Sequence, residues 1–167
     1  MTRYVVARVN DVPVGGHIVV DVNGRSIGIF SIDGEFYGLF NRCPHRGGPM
    51  CEGQLVEELS SDRPGQYRRD GCRVFLECPW HGWEFDVRTG QSYVDPRRTR
   101  LRPYAVEVEH GDAVAASLRN AETGQDTQLV PGPYIAERVP ISVEDDYLVI
   151  DTKRARSATQ RPEEIST

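Results

Sequence analysis

The chain has 167 residues, of which 27% are charged, with a formal net charge of -5 and a sequence pI of about 5.4. This length suits one domain with a substantial core, and the acidity argues against nonspecific nucleic-acid binding. No apolar block resembling a signal peptide and no stretch of about 18 apolar residues is present, so we expect a protein of the reducing cytoplasm that contacts neither nucleic acid nor membrane.

Strand patterns joined by turn dipeptides dominate the first half of the chain. Asn23-Gly24 and Asp33-Gly34 each separate two apolar runs, and Asn or Asp followed by Gly tolerates the positive φ of a two-residue hairpin turn. A third dipeptide, Asp70-Gly71, predicts the same turn between residues 66–68 and residues 74–76. Three such hairpins predict an antiparallel meander.

Element signals are sparser in the second half. Valine and glutamate alternate over residues 106–109, which predicts a half-buried strand, and Tyr147–Ile150 reads as a last strand. Residues 113–118 suit one or two helical turns and equally suit a strand. The polar stretch 120–128 predicts a loop, and the polar residues 152–167 predict a disordered tail.

Two short loops each offer one thiolate and one imidazole. Cys43 and His45 lie in the sequence CPHRG, and Cys78 and His81 lie in the sequence CPWHGW. Two cysteines and two histidines suit either a tetrahedral zinc site or an iron–sulfur centre. Structural zinc sites usually group like ligands on one knuckle or helix, whereas a two-iron cluster with unlike irons accepts one ligand of each kind from each loop.

The paired motifs resemble the Rieske signature. The run from Cys78 to Asp86, followed by Arg88-Thr89-Gly90, is similar to the second loop of Rieske domains in ring-hydroxylating oxygenases and their ferredoxins. The resemblance implies one 2Fe-2S cluster, with both cysteines on one iron and both histidines on the other. It also implies an all-β fold, a single antiparallel sandwich or barrel-like domain over residues 3–151. The cluster would be held by a subdomain of two loops at about residues 41–90.

Three features of the chain depart from the Rieske pattern that it resembles, two of them in comparison with respiratory Rieske proteins. Those proteins have a disulfide between the loops where this chain has Gly48 and Trp80, and a serine that bonds a cluster sulfide where it has Trp83. Fewer hydrogen bonds to the cluster lower its potential, so we predict roughly -150 mV. The long gap between the motifs predicts an extended hairpin over about residues 56–72, with a loop at 60–65. We expect Trp83 to be ordinary core and Trp80 to lie near the surface.

Several other polar residues lie near or between the motifs. Cys51 and Cys72 fall outside the ligand pattern and are interpreted as structural thiols, with a redox-sensing pair as the alternative. Arg42 and Arg46 flank the first loop, where they either help to dock an acidic partner or are simply solvated charges.

The supply of histidines argues against oxygenation by this chain alone. Rieske oxygenases add a mononuclear iron held by two histidines and a carboxylate, but only His17 and His110 remain here, far apart in the sequence. We therefore predict a ferredoxin-like carrier of single electrons. Its donor would be a flavin- or NAD(P)H-dependent reductase and its acceptor an oxygenase or another redox enzyme. The alternatives are a Rieske subunit of a multi-component oxidoreductase or oxygenase complex, and a zinc-bound structural module.

Overall fold

A computed structural model describes residues 3–122 and 145–152 of the chain. Within these residues the chain forms antiparallel strands, one α-helix and two single 3-10 turns. The elements are β1 (Arg3–Arg8), β2 (His17–Asp21), β3 (Ser26–Ile32), β4 (Glu35–Phe40), β5 (Gln54–Arg63), β6 (Gln66–Glu77), β7 (Glu84–Asp86), β8 (Pro103–His110), α1 (Gly111–Glu122) and β9 (Asp146–Asp151), with 3-10 turns at Val9–Asp11 and Met50–Glu52.

The described strands form two sheets. One sheet has six strands in the order β1-β9-β8-β4-β3-β2, and the other has three in the order β5-β6-β7. Each pairing is antiparallel, which confirms the predicted all-β antiparallel fold. Strand β9 lies between β1 and β8 and so joins the beginning of the chain to its later part. No helix among the described residues is both long enough and apolar enough to cross a membrane.

The two hairpin turns nearest the beginning of the chain are confirmed. Asn23 and Gly24 connect β2 to β3 with φ angles of 54° and 70°, and Asp33 and Gly34 connect β3 to β4 with φ angles of 53° and 78°. Positive φ at both central residues defines the turn type whose twist matches that of the flanking strands. This requirement explains why Asn, Asp and Gly occupy these positions.

The predicted turn at Asp70-Gly71 and the predicted loop at residues 60–65 are wrong. Strand β6 runs without a break through Asp70-Gly71, and the chain reverses instead at Pro64-Gly65, where Gly65 has φ 80°. Proline followed by a glycine of positive φ is typical of a type II turn. Residues 70–73 stand opposite the single residue Glu58. Asp70-Gly71 therefore forms an irregularity inside a strand, a common role for glycine in a sheet.

The later elements partly match the sequence predictions. The strand expected at 106–109 lies within β8, and that expected at Tyr147–Ile150 lies within β9. Residues 113–118 take the helical alternative as part of α1, so the loop prediction is wrong for residues 120–122. Residues 123–128 and 153–167 lie outside the described residues.

Two apolar clusters fill the interior, and β3 supplies both. Alternate residues of a strand point to opposite faces, so Ile27 and Ile29 enter one cluster while Phe30 and Ile32 enter the other. We call the first the sheet core; its buried members are Val12, Val22, Ile27, Ile29, Tyr104, Leu148 and Ile150. We call the second the loop core; its buried members are Phe30, Ile32, Tyr37, Leu39, Cys43, Met50, Cys51, Leu76, Cys78, Phe85, Val87 and Leu101.

Candidate metal centre

The first loop follows β4 and folds back on itself. The Gly47 N–H donates to the Cys43 carbonyl at 2.8 Å, and the Cys43 N–H donates to the Gly48 carbonyl at 2.8 Å. Gly47 has φ 81°, a backbone conformation that side chains with a Cβ rarely adopt. The glycine therefore closes the loop and leaves His45 at its tip.

The second loop follows β6 and repeats this hydrogen-bond pattern. The Gly82 N–H donates to the Cys78 carbonyl at 2.9 Å, and the Cys78 N–H donates to the Trp83 carbonyl at 2.8 Å. Gly82 has φ 66°. The two loops are thus equivalent in backbone structure, although the histidine is the third residue of the first loop and the fourth of the second.

The two cysteines form a buried pair. Cys43 is 2% exposed and Cys78 is 1% exposed, and their side chains are close enough to share a hydrogen bond. Burial raises the pKa of the Cys43 thiol, and the neighbouring Cys78 raises it further. Two thiolates side by side in this environment require a compensating cation. The pair therefore fits a metal centre.

The two histidines of the same loops form an exposed pair. Their imidazole rings lie 4.9 Å apart between centroids, edge to face at 74°, and both side chains are exposed. Among residues 3–122 and 145–152, no three Cys, His, Asp or Glu side chains gather around one point able to hold a metal ion. The observed grouping is a thiol pair and an imidazole pair, which suits two unlike irons better than one tetrahedral ion.

Two tryptophans of the second loop pack against the first loop. Trp83 stacks on His45, with 4.3 Å between ring centroids and 6° between planes, while it also packs against the loop core. The expectation that Trp83 is ordinary core is therefore incomplete. Trp80 is 57% exposed, as expected. A Cβ on Gly48 would lie 3.0 Å from Cδ2 of Trp80 and 3.2 Å from Sγ of Cys78, a tight fit that would require the Trp80 ring to shift by a few tenths of an ångström.

Two polar residues next to the loops support them through the backbone. Asn41 donates from its Nδ2 to Oγ of Ser26 at 3.1 Å and accepts from the Cys51 N–H at 2.7 Å. Asp86 is buried, and its Oδ1 accepts from the Arg88 and Thr89 N–H groups at 2.8 and 3.0 Å. The role of Asn41 could not be predicted from the sequence, because an asparagine before a loop carries no distinctive signal.

The remaining cysteines and histidines lie outside this centre. Cys51 is a buried thiol whose pKa burial raises to about 12, and the Cys72 side chain lies outside the described residues. His17 stacks on Phe30 with 5.0 Å between centroids. The His110 side chain is exposed, with Nδ1 3.8 Å from a carboxylate oxygen of Asp112.

The chain is similar in sequence to one protein family and to ferredoxin components of dioxygenase systems. Residues 2–105 match the family described as Rieske [2Fe-2S] domain. The 3-phenylpropionate/cinnamic acid dioxygenase ferredoxin subunit of Escherichia coli (strain K12) is 32% identical over 112 residues, which cover 67% of this chain and 91% of that protein. The ferredoxin component of naphthalene 1,2-dioxygenase/salicylate 5-hydroxylase systems from Ralstonia sp is 31% identical, covering 62% of this chain and 85% of that one.

A solved structure shows the same likeness. The ferredoxin of carbazole 1,9a-dioxygenase from Nocardioides aromaticivorans IC177 superimposes with a TM-score of 0.50 and 26% sequence identity. The match covers 65% of this chain and 91% of that ferredoxin. The likeness therefore extends over nearly the whole length of the ferredoxin.

Proposed function

Because the chain belongs to the Rieske 2Fe-2S family, we propose that it works as a ferredoxin, taking single electrons from one protein and delivering them to another. The observation that carries the proposal is the separation of the candidate ligands by depth. The two cysteines are buried and the two histidines are exposed. A carrier needs this arrangement, since one side must retain the cluster and the other must meet a partner.

We further propose that Cys43 and Cys78 bind one iron of the cluster and that His45 and His81 bind the other. The thiol pair and the imidazole pair each combine one residue from each loop, so the loops would hold the cluster from two sides. When bound, the cluster supplies a one-electron redox couple.

The protein residues around this centre have separate tasks. The buried cysteines keep water from the inner side of the site, and the exposed imidazole edges bring the outer side within reach of a docked partner. Trp83 holds the plane of the His45 ring by stacking on it. A fixed ring orientation keeps the route of the electron the same from one encounter to the next.

The partners proposed for this carrier follow from its relatives. Two relatives are ferredoxin components of dioxygenase systems, so we propose an oxygenase as the acceptor and a flavin- or NAD(P)H-dependent reductase as the donor. The same reasoning favours the reducing cytoplasm as the cellular location of the protein. An enzyme subunit bound permanently to its catalytic partner would instead co-purify with that partner as a stable complex.

The decisive experiment is electron paramagnetic resonance of the dithionite-reduced protein, combined with iron and acid-labile sulfide analysis. We expect two irons and two sulfides per chain, and a spectrum shifted from that of clusters with four cysteine ligands. Cys43→Ser and His81→Ala should each abolish that spectrum. A colourless protein with stoichiometric zinc and no sulfide would exclude the carrier and favour the zinc-bound structural module.

A further inference from the structure

A basic cleft lies beside the exposed His45. It has a volume of about 380 Å³ and is lined by His45 together with Arg42, Arg46, Arg100 and Arg102. None of the described residues that line it is acidic. We call this feature the arginine cleft. Two of its arginines come from the first loop and two from the segment that leads into β8.

The guanidinium groups of the arginine cleft have no carboxylate partner among residues 3–122 and 145–152. Two of them are nevertheless held in position. Arg100 donates from Nε and Nη2 to the Thr89 carbonyl at 3.3 and 3.0 Å. Arg102 lies over the Tyr104 ring, 5.2 Å from its centroid. Arginines that are already ordered lose less conformational entropy when they bind an anion.

We propose that the arginine cleft receives aspartate or glutamate side chains of the redox partner, and that this contact fixes which side of the protein the partner meets. The inference rests on the proposed carrier function. A partner that reaches the exposed His45 edge must also cover the cleft, because His45 lines it. Guanidinium groups bind carboxylates through paired, charge-assisted hydrogen bonds.

The distribution of charge supports an acidic protein surface as the occupant. The chain carries a net charge of -5, so its total charge repels an acidic partner while the arginine cleft attracts one. Such asymmetry steers encounters toward one orientation and suppresses others. The cleft would therefore act on the orientation of docking and on its rate.

The test uses the holoprotein and a hexaglutamate peptide as the probe, with calorimetric titration at low ionic strength. We expect saturable binding that weakens as salt is added. The double variant Arg46→Gln/Arg100→Gln should weaken binding about tenfold, as expected for the loss of two charge-assisted contacts. The matched control is Arg63→Gln/Arg69→Gln, which removes the same charge from the β5–β6 hairpin and should bind like the unaltered protein.

Three outcomes would overturn the inference. They are no binding of hexaglutamate, equal weakening in both double variants, and displacement of the peptide by inorganic phosphate at equal concentration, which would make the cleft a phosphate site. Electron paramagnetic resonance of each variant separates this result from the carrier function. If the unaltered protein has a normal cluster spectrum but does not bind hexaglutamate, the inference about the cleft fails while the carrier function stands. If the unaltered protein has no cluster spectrum, the proposed carrier function itself fails.

Discussion

Several residues of the two loops contact each other in pairs, one residue from each loop. Gly48 and Trp83 occupy equivalent backbone positions, each accepting from the cysteine N–H of its own loop. Gly48 has no side chain and the Trp80 ring lies close against it, whereas Trp83 carries a large ring that stacks on His45. Here an aromatic ring packed on a glycine joins the loops without a covalent bond.

Removal of the Trp83 ring should raise the reduction potential. Reduction adds a negative charge to the centre, and an apolar ring that excludes water disfavours that charge. Trp83→Ala should therefore shift the potential upward by roughly 30–60 mV, up to a tenfold change in the equilibrium of a one-electron couple. Protein-film voltammetry measures the shift. Trp83→Phe, which keeps an aromatic ring on His45, should stay close to the unaltered value, and a downward shift in Trp83→Ala would contradict the argument.

Cys51 should make the fold sensitive to alkaline pH. Burial raises its pKa from an ordinary value of 9.0 to about 12, so the folded protein keeps a proton that the unfolded chain releases. The corresponding stability is fully present below pH 9 and is lost as the pH rises from 9 toward about 12. The thermal midpoint should fall over this range, and Cys51→Ala should show a shallower fall from a lower starting point. Parallel curves for the two proteins would show that another group is responsible.

At the scale of elements, the local signals that predict a turn also occur inside strands. Asn23-Gly24 and Asp33-Gly34 each lie between two apolar strands of five to seven residues, so the dipeptide and the residues on either side of it predict the same hairpin. Asp70-Gly71 is the same dipeptide as Asp33-Gly34 but lies within β6. The real turn at Pro64-Gly65 lies between Arg63 and Gln66, where neither side shows an apolar alternation. The pairing of β5 with β6 about Pro64-Gly65 places Asp70-Gly71 inside a strand, and the register of two strands is not visible in a short window of sequence.

The parts of the site that lie in one contiguous motif could be predicted, and those brought together by strand pairing could not. The four candidate ligands could be predicted because each loop is a contiguous motif with its own proline and glycine. Arg100 and Arg102 approach the first loop only because β8 pairs with β4, as seen where Gly38 faces Tyr104 and Leu39 faces Pro103. Helix α1 was ambiguous because an alanine-rich run has no marked period, and its packing against β8 and β9 settles the choice.

The outer part of the β5–β6 hairpin should be dispensable for the cluster. Its large apolar side chains, Leu59 and Tyr67, are exposed, whereas Glu57 and Val74 face each other nearer to the second loop. Replacing residues 58–73 with Asn-Gly would close the hairpin between Glu57 and Val74. The shortened protein should retain its reduced-cluster spectrum and iron content. Loss of the spectrum in a variant that stays folded by circular dichroism would assign the hairpin a role in holding the second loop.

Across the whole molecule, the candidate cysteine ligands belong to only one of the two packed cores. The loop core contains both candidate cysteine ligands, whereas the sheet core is built around β3, β8 and β9 and contains none of the four candidate ligands. Strand β9 lies beyond residues 2–105, which match the family, yet it pairs with both β1 and β8. Strand β9 thus completes the six-stranded sheet, whereas the four candidate ligands all lie within residues 2–105.

This division predicts that damage to the sheet core lowers stability without altering the site. Leu148 is fully buried in β9, and a leucine-to-alanine change in a core typically costs 2–5 kcal/mol through lost burial and the cavity left behind. Leu148→Ala should lower the free energy of unfolding by about that amount while the spectrum of the folded, reduced protein keeps its g-values. Leu59→Ala, at a position 61% exposed, is the control and should change stability by no more than about 0.5 kcal/mol. Altered g-values in Leu148→Ala would mean that the two cores are mechanically coupled through β3, the strand they share.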